Sequence, residues 1–132
     1  VDSGHMIVQY TQAGVVSELK RLAVPASVDS IPSSAMQEDH VSMGWTSARK
    51  LRRALDGLSR VLAGEALSAA RALDLRDADP APATAAVRDR IRTVVEGPGP
   101  DRFLAPELEA VVALVQAGAL VEAAEAVTGP LG

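Results

Sequence analysis

Apolar residues recur at helical spacing along most of the chain. Residues 5–23 predict a first helix with two neighbouring apolar stripes, which Pro25 is expected to end. A longer seam then steps by three and four residues through Val41, Trp45, Ala48, Leu51, Leu55, Leu58, Leu62, Ala66, Ala69 and Leu73. It predicts one long helix over about residues 35–76, roughly 60 Å in length at 1.5 Å per residue. Such a helix exceeds the diameter of a domain of this size, so we expect it to pack against further sequence, other subunits or both.

The segment before the long helix carries signals for a helix start. Residues 24–34 are rich in Pro, Ser and Asp, which favour turns and helix caps. Ser34 followed by Gln37 fits a capping box, in which two side chains satisfy unpaired backbone N–H groups. Glu38 and Asp39 would then lie in the first turn, where the helix dipole favours negative charge. The sequence therefore predicts an acidic helix start.

Shorter helices are predicted over about residues 83–128. The Gly- and Pro-rich residues 97–100 are expected to end the first of them. Pro106 fits the first position of the next helix, and Gly118 is expected to cap it. The positions expected to be buried are Val87, Ile91, Val94, Val95, Leu108, Val111, Val112 and Val115. No useful segment has the period of a β-strand, so residues 1–132 are predicted to form a single all-α region of a long-helix bundle.

Composition and charge narrow the possible functions. Hydrophobic residues make up 48% of the chain, but one Trp, one Tyr and one Phe occur, which favours an aliphatic core between packed helices. A formal net charge of −4 argues against nucleic acid as the main partner. We interpret the arginine-rich face of the long helix as solvated or paired with acidic neighbours.

Cysteine usage and hydropathy bear on location. The chain has no cysteine, which excludes disulfides and thiolate metal sites. No stretch has the length and hydropathy of a membrane span, and residues 1–6 lack the pattern of a signal peptide. We therefore expect no membrane partner and a cytoplasmic location.

Few residues indicate chemistry by their pattern alone. His5 and His40 are far apart, and no spacing places two metal ligands on one helix face, so no metal site is predicted. Polar side chains crowd residues 27–42, which by themselves indicate a loop and a capped helix start. The Asp2-Ser3-Gly4 triplet indicates a turn or a helix start.

Two blocks in and beside this polar region are much more specific than a single short motif. They are Pro25-Ala26-Ser27-Val28-Asp29-Ser30 and Gln37-Glu38-Asp39-His40-Val41-Ser42-Met43. At this separation they closely resemble the C-terminal half of histidine ammonia-lyases, within the aromatic amino acid lyase family. The resemblance is specific to about residue 50 and continues more loosely through residues 98–102 and 104–107.

The resemblance implies an elongated helical bundle that is active as a homotetramer. It implies the non-oxidative deamination of a small amino acid, L-histidine, to urocanate and ammonia. The family's electrophile is a methylidene-imidazolone group formed from an internal Ala-Ser-Gly, and that triplet does not occur in this chain. We therefore expect the remaining N-terminal part of the lyase to be a required partner, and the isolated chain to be inactive.

Glu38 is the active-site residue that the resemblance carries onto this chain. It implies a catalytic and substrate-binding carboxylate beside the bound substrate, with Gln37 helping to shape the pocket. At a helix N-terminus such a carboxylate should stay ionised, which suits pairing with an ammonium or imidazolium better than proton abstraction.

Three departures keep alternatives open. Val24, Met36 and Asp2 stand where many family members have other residues. Tyrosine or phenylalanine lyases and aminomutases share the scaffold, so they remain possible. A non-catalytic helical oligomerisation module derived from the scaffold is a further alternative.

Overall fold

The structure is a computed structural model that describes residues 2–131, and helices dominate it. The elements are α1 (Met6–Leu22), a 3-10 helix (Ala26–Val28), α2 (Gly44–Asp74), α3 (Pro82–Arg92), α4 (Ala105–Gln116) and α5 (Ala119–Thr128). The described residues contain no β-structure apart from one isolated antiparallel bridge. The predicted all-α fold class is confirmed.

The long helix is unbroken but begins later than predicted. α2 starts at Gly44 rather than near residue 35 and has 31 residues, which makes it about 45 Å long. The predicted capping box of Ser34 and Gln37 is wrong, because residues 35–43 form a loop. The hydroxyl of Ser42 instead accepts a hydrogen bond from the Gly44 N–H at 3.2 Å. It satisfies one of the donors that a helix start leaves unpaired.

Helices α1 and α2 pack against each other in antiparallel directions. Val15 and Leu19 lie against Gly57, whereas Val8 and Gln12 lie against Gly64. The side chain of Gln12 donates a hydrogen bond to the Val61 carbonyl at 3.0 Å. Glycines that cost α2 some helix propensity therefore let α1 approach closely.

Gly64→Ala is expected to destabilise this helix pair even though alanine favours helices. The added Cβ would lie 3.1 Å from Cγ1 of Val8 and 3.2 Å from the Gln12 side chain. Val8 is buried and β-branched, so it rotates poorly, and overpacking of this kind costs about 1–3 kcal/mol. That cost outweighs the gain of about 1 kcal/mol in helix propensity. Thermal unfolding of the 132-residue chain measures the balance.

Gly14→Ala is the matched control within α1. A Cβ at Gly14 meets no atom of the described chain within 4 Å. The free energy of unfolding of this variant should therefore rise by up to about 1 kcal/mol, because alanine favours the helix. Equal shifts of the melting temperature in Gly64→Ala and Gly14→Ala would contradict close packing at Gly64.

The hydrophobic core lies around the C-terminal half of α2. It is formed by Ala63, Leu67, Ala70, Ile91, Val95, Val111, Val112, Leu114 and Ala119. The predicted seam lies one residue off this buried stripe, since it ran through Leu62, Ala66 and Ala69. Its N-terminal half is exposed, at Leu51, Leu55, Leu58 and Leu62. Within residues 2–131, α2 therefore presents a second apolar face that the chain does not cover.

The C-terminal helices lie close to the expected bounds, and their packing departs from the predicted burial most clearly at two positions. Val94 is exposed, although it was expected to be buried, whereas Leu114 is buried without having been predicted. Gly118 separates α4 from α5 with a left-handed φ of 74°, as its predicted capping role requires. Arg92 and Asp74 form an ion pair at 2.7 Å that joins α3 to the end of α2.

None of the described helices is individually long and apolar enough to cross a membrane, whereas α4 and α5 together reach the required length and composition but are bent by 59°.

Candidate functional site

The predicted site residues lie in a loop whose two arms are hydrogen-bonded to each other. The N–H of Ser33 donates to the Glu38 carbonyl at 3.1 Å, and the N–H of Glu38 donates to the Ser33 carbonyl at 3.3 Å. Further from the tip, the Ser30 hydroxyl donates to the Val41 carbonyl at 3.1 Å and accepts from the Val41 N–H at 3.2 Å. Residues 30–41 therefore double back in one antiparallel register, and we call them the hairpin loop.

The tip of the hairpin loop has an unusual backbone. Ser34, Ala35 and Met36 all have left-handed conformations, with φ values of 52°, 54° and 69°. A hydrogen bond from the Gln37 N–H to the Ser34 carbonyl, at 3.1 Å, closes the turn. Left-handed residues other than glycine cost about 1–2 kcal/mol each. Such strain persists only where neighbouring contacts impose it.

The carboxylate of Glu38 is exposed and accepts one hydrogen bond. The hydroxyl of Ser33 donates to its Oε2 at 2.7 Å. Oε1 accepts no hydrogen bond from the part of the chain that the structure describes, and the adjacent Gln37 is also exposed. The arrangement can therefore offer a fixed negative group to a cationic partner from outside this chain.

The physical basis predicted for Glu38 was wrong. Its carboxylate does not lie in the first turn of a helix, because the hairpin loop ends before α2 begins at Gly44. The polar group that holds Glu38 is the Ser33 hydroxyl. No pattern in the sequence gave Ser33 a role. The pairing of Ser33 with Glu38 depends on a turn in which three consecutive residues other than glycine have left-handed conformations, and such turns are rare.

Residues 23–43, which connect α1 to α2 and include the hairpin loop, form the loop region, and its base is attached to α2. The Lys50 ammonium donates to the Val24 carbonyl, and the 3-10 helix contacts α2. The loop region is thus anchored near the N-terminal end of α2, whereas the hydrophobic core surrounds the C-terminal half of that helix.

The Asp2-Ser3-Gly4 triplet is held in a turn before α1. The N–H groups of Ser3 and Gly4 donate to the two carboxylate oxygens of Asp101, at 2.5 and 2.8 Å. The Asp101 N–H donates in turn to Asp2 Oδ1 at 3.2 Å. The expected turn is present. With its amides occupied and no alanine before the serine, this triplet does not fit the precursor of a methylidene-imidazolone group.

Asp101→Asn is expected to lower the melting temperature at neutral pH, with a smaller loss in acid. The hydrogen bonds from Ser3 and Gly4 lower the pKa of Asp101. For a carboxyl whose pKa falls on folding, the stabilisation is complete above the unfolded pKa of about 4 and is lost as pH falls through the folded pKa. Melting curves of wild type and variant from neutral pH to below the unfolded pKa provide the test. A difference in melting temperature between wild type and variant that does not change with pH would contradict the role of the Asp101 carboxylate.

Among residues 2–131, no three His, Asp or Glu side chains come together as metal ligands. The Ser68 hydroxyl lies 3.3 Å from Nδ1 of His5. Burial and the nearby Arg71 lower the pKa of His5. His40 is exposed in the hairpin loop. The two histidines therefore occupy different regions of the molecule.

Comparison with known proteins gives consistent matches along the chain. The profile of the aromatic amino acid lyase family matches residues 1–93. Histidine ammonia-lyases of Streptomyces coelicolor and Streptomyces avermitilis are 68% and 67% identical to this chain. Each alignment covers 99% of this chain and 26% of the relative.

Solved structures match the fold at the same partial coverage. A histidine ammonia-lyase from Trypanosoma cruzi superposes with a TM-score of 0.89 at 37% identity, over 95% of this chain and 25% of that one. A tyrosine aminomutase from Streptomyces globisporus superposes with a TM-score of 0.85, also at 37% identity, over 93% of this chain and 24% of that one. The chain thus spans about a quarter of the length of these relatives.

Proposed function

Because this chain belongs to the aromatic amino acid lyase family, we propose that it forms the C-terminal part of a histidine ammonia-lyase. Such an enzyme removes ammonia from L-histidine without oxidation and leaves urocanate. The observation that carries this proposal is the high identity to two Streptomyces histidine ammonia-lyases along nearly the whole chain. Both sequence blocks of the loop region lie inside the matched residues.

Glu38 is the residue through which this chain would take part in the reaction. Its carboxylate is exposed, and Ser33 donates to one of its two oxygens, which leaves Oε1 for a donor on the substrate. A carboxylate pairs well with an ammonium or imidazolium, because charge-assisted hydrogen bonds are the stronger kind. We propose that Glu38 orients the substrate and that Gln37 lines the same pocket.

The electrophile would come from sequence outside these residues. A methylidene-imidazolone group supplies the electrophilic chemistry in this family, and Asp2-Ser3-Gly4 does not fit its precursor. We propose that the N-terminal part of the lyase provides the Ala-Ser-Gly, and that this chain's contribution is confined to binding and orientation.

We further propose that the active form is a cytoplasmic homotetramer. The exposed leucines along the N-terminal half of α2 support assembly with further helices, because apolar faces of that kind pack against other helices. The N-terminal part of the lyase and neighbouring subunits would together cover this face.

The experiment that tests the function is a substrate comparison with the full-length enzyme that contains this chain. L-histidine should be deaminated with formation of urocanate, which is followed by its ultraviolet absorbance. The 132-residue chain alone should produce none. Urocanate from the isolated chain would overturn the proposed need for the N-terminal part.

The similarity to tyrosine aminomutase favours a second candidate, a scaffold that acts on tyrosine. L-tyrosine and L-phenylalanine therefore belong in the same assay, with detection of both deaminated and β-amino products. Higher kcat/KM on tyrosine than on histidine would replace the first proposal with this one. A folded full-length protein that turns over none of the three would favour the non-catalytic module.

A further inference from the structure

A hydroxyl group is placed directly against the proposed substrate-orienting carboxylate. Ser33 and Glu38 are paired through two backbone hydrogen bonds, so their side chains start side by side on the hairpin loop. The Ser33 Oγ–H then donates to Glu38 Oε2 at 2.7 Å. This distance is typical of a charge-assisted hydrogen bond between a hydroxyl and a carboxylate.

We propose that Ser33 is a positioning residue, which holds the Glu38 carboxylate in the orientation that the substrate requires. This inference rests on the proposed function, in which Glu38 faces the substrate. An exposed glutamate otherwise samples several rotamers, and fixing them on substrate binding costs free energy. A carboxylate that is already held by Ser33 loses less freedom when it meets the substrate.

The backbone at the tip supports a positioning role. Ser34, Ala35 and Met36 adopt three successive left-handed conformations, and this turn brings Ser33 opposite Glu38. Met36 is 79% exposed, so burial of its side chain does not compensate for the strain. Strained backbone held in place by local contacts is typical of functional sites. The contacts that hold this one are the backbone bridge, the hydrogen bond that closes the turn, and the hydroxyls of Ser30 and Ser33.

Ser30 provides a matched comparison within the hairpin loop. Its hydroxyl also joins the two arms, but it contacts only the backbone of Val41, at 3.1 and 3.2 Å. Ser30→Ala therefore loosens the loop without removing a contact to the carboxylate. Ser33→Ala removes the donor to Glu38, and Ser33→Thr keeps a hydroxyl at the same place.

The test is a double-mutant cycle in the full-length enzyme. Ser33→Ala should lower kcat/KM for L-histidine by about tenfold or more, the effect of losing one hydrogen bond to a charged group. Ser33→Thr should restore turnover to within about threefold of wild type, whereas Ser30→Ala should change it by less than about threefold. In a Glu38→Gln background, Ser33→Ala should add little further loss, because the carboxylate is already gone.

Three outcomes would overturn the proposal. Wild-type kinetics for Ser33→Ala would show that the hydroxyl does not position Glu38. Equal losses for Ser30→Ala and Ser33→Ala would assign the effect to loop rigidity. A full further loss from Ser33→Ala in the Glu38→Gln background would show that Ser33 acts independently of the carboxylate.

The cycle also separates this inference from the proposed function. An impaired Glu38→Gln with an unimpaired Ser33→Ala overturns the role of Ser33 alone. An unimpaired Glu38→Gln removes Glu38 from the site and overturns the roles of both residues. Failure of the proposed function itself would instead appear as a wild-type enzyme that does not turn over L-histidine. Melting temperatures of the variants confirm that the enzyme remains folded in each comparison.

Discussion

Glu38→Gln in the full-length enzyme is expected to lower kcat/KM for L-histidine by about 100-fold or more. The substitution keeps the size of the side chain and removes its negative charge. Removing one hydrogen-bonding group aimed at the charge that develops at a reacting centre typically costs about 10²–10³-fold in rate, or roughly 2.7–4 kcal/mol, and we expect a similar cost for the loss of this charged partner. Formation of urocanate under steady-state conditions measures the effect.

Asp39→Asn is the control for Glu38→Gln. The two acidic residues are adjacent and both are exposed, so each substitution removes one negative charge from the same part of the hairpin loop. We expect Asp39→Asn to retain turnover within about threefold, and both variants to keep the wild-type melting temperature, because exposed substitutions change stability by about 0.5 kcal/mol or less. Similar losses of turnover in the two variants would assign the effect to loop charge rather than to Glu38.

Leu67→Ala should cost about 2–5 kcal/mol of unfolding free energy, the largest stability effect expected for a single substitution in α2. Leu67 is 1% exposed and packs among Ile91, Val111 and other core residues. Removing most of its side chain leaves a cavity that rigid neighbouring helices cannot refill. Urea unfolding of the 132-residue chain, followed by circular dichroism, measures the loss.

Leu62→Ala provides the comparison for Leu67→Ala. It makes the same chemical change on the same helix, but Leu62 is 48% exposed. Its loss in the 132-residue chain should be about 1 kcal/mol or less. A larger loss at Leu62 than at Leu67 would mean that the predicted seam, and not the observed stripe, faces the core.

These two leucines show what the sequence could and could not predict about the fold. The period of three and four residues predicts a long helix correctly, because any apolar stripe at that spacing requires one. It does not select the buried face, since apolar residues also occur one position further on, at Ala63, Leu67 and Ala70. Which face becomes the core depends on where α3, α4 and α5 pack.

Local signals predicted the C-terminal helices better than the start of α2. Pro106 lies at the second position of α4, one residue from its predicted place. It and Gly118 act through their own backbone preferences, so their effects do not depend on distant contacts. Ser34 and Gln37 have the spacing of a capping box, but serine and similar residues favour turns as well as caps. No apolar side chain in residues 35–43 is buried, so nothing favours a helix there over the hairpin loop.

The resemblance proposes Glu38 and Gln37 as site residues, because it matches short sequence blocks residue by residue, but it says nothing of their geometry. It could not indicate that a serine five positions earlier holds the carboxylate, since that contact depends on the turn. Ser33 therefore became a candidate from the structure alone.

Under the proposed role of Glu38, the unbroken course of α2 makes turnover sensitive to the angle of one helix. From Leu67 in the core to Gly44 beside the hairpin loop, the helix axis runs about 35 Å at 1.5 Å per residue. A tilt of about 5° at the core would therefore displace the loop by about 3 Å, whereas misplacing a reacting group by about 1 Å can cost about 100-fold in rate. Core substitutions that merely change the angle of α2 would then impair turnover at long range, with every side chain of the hairpin loop chemically unchanged.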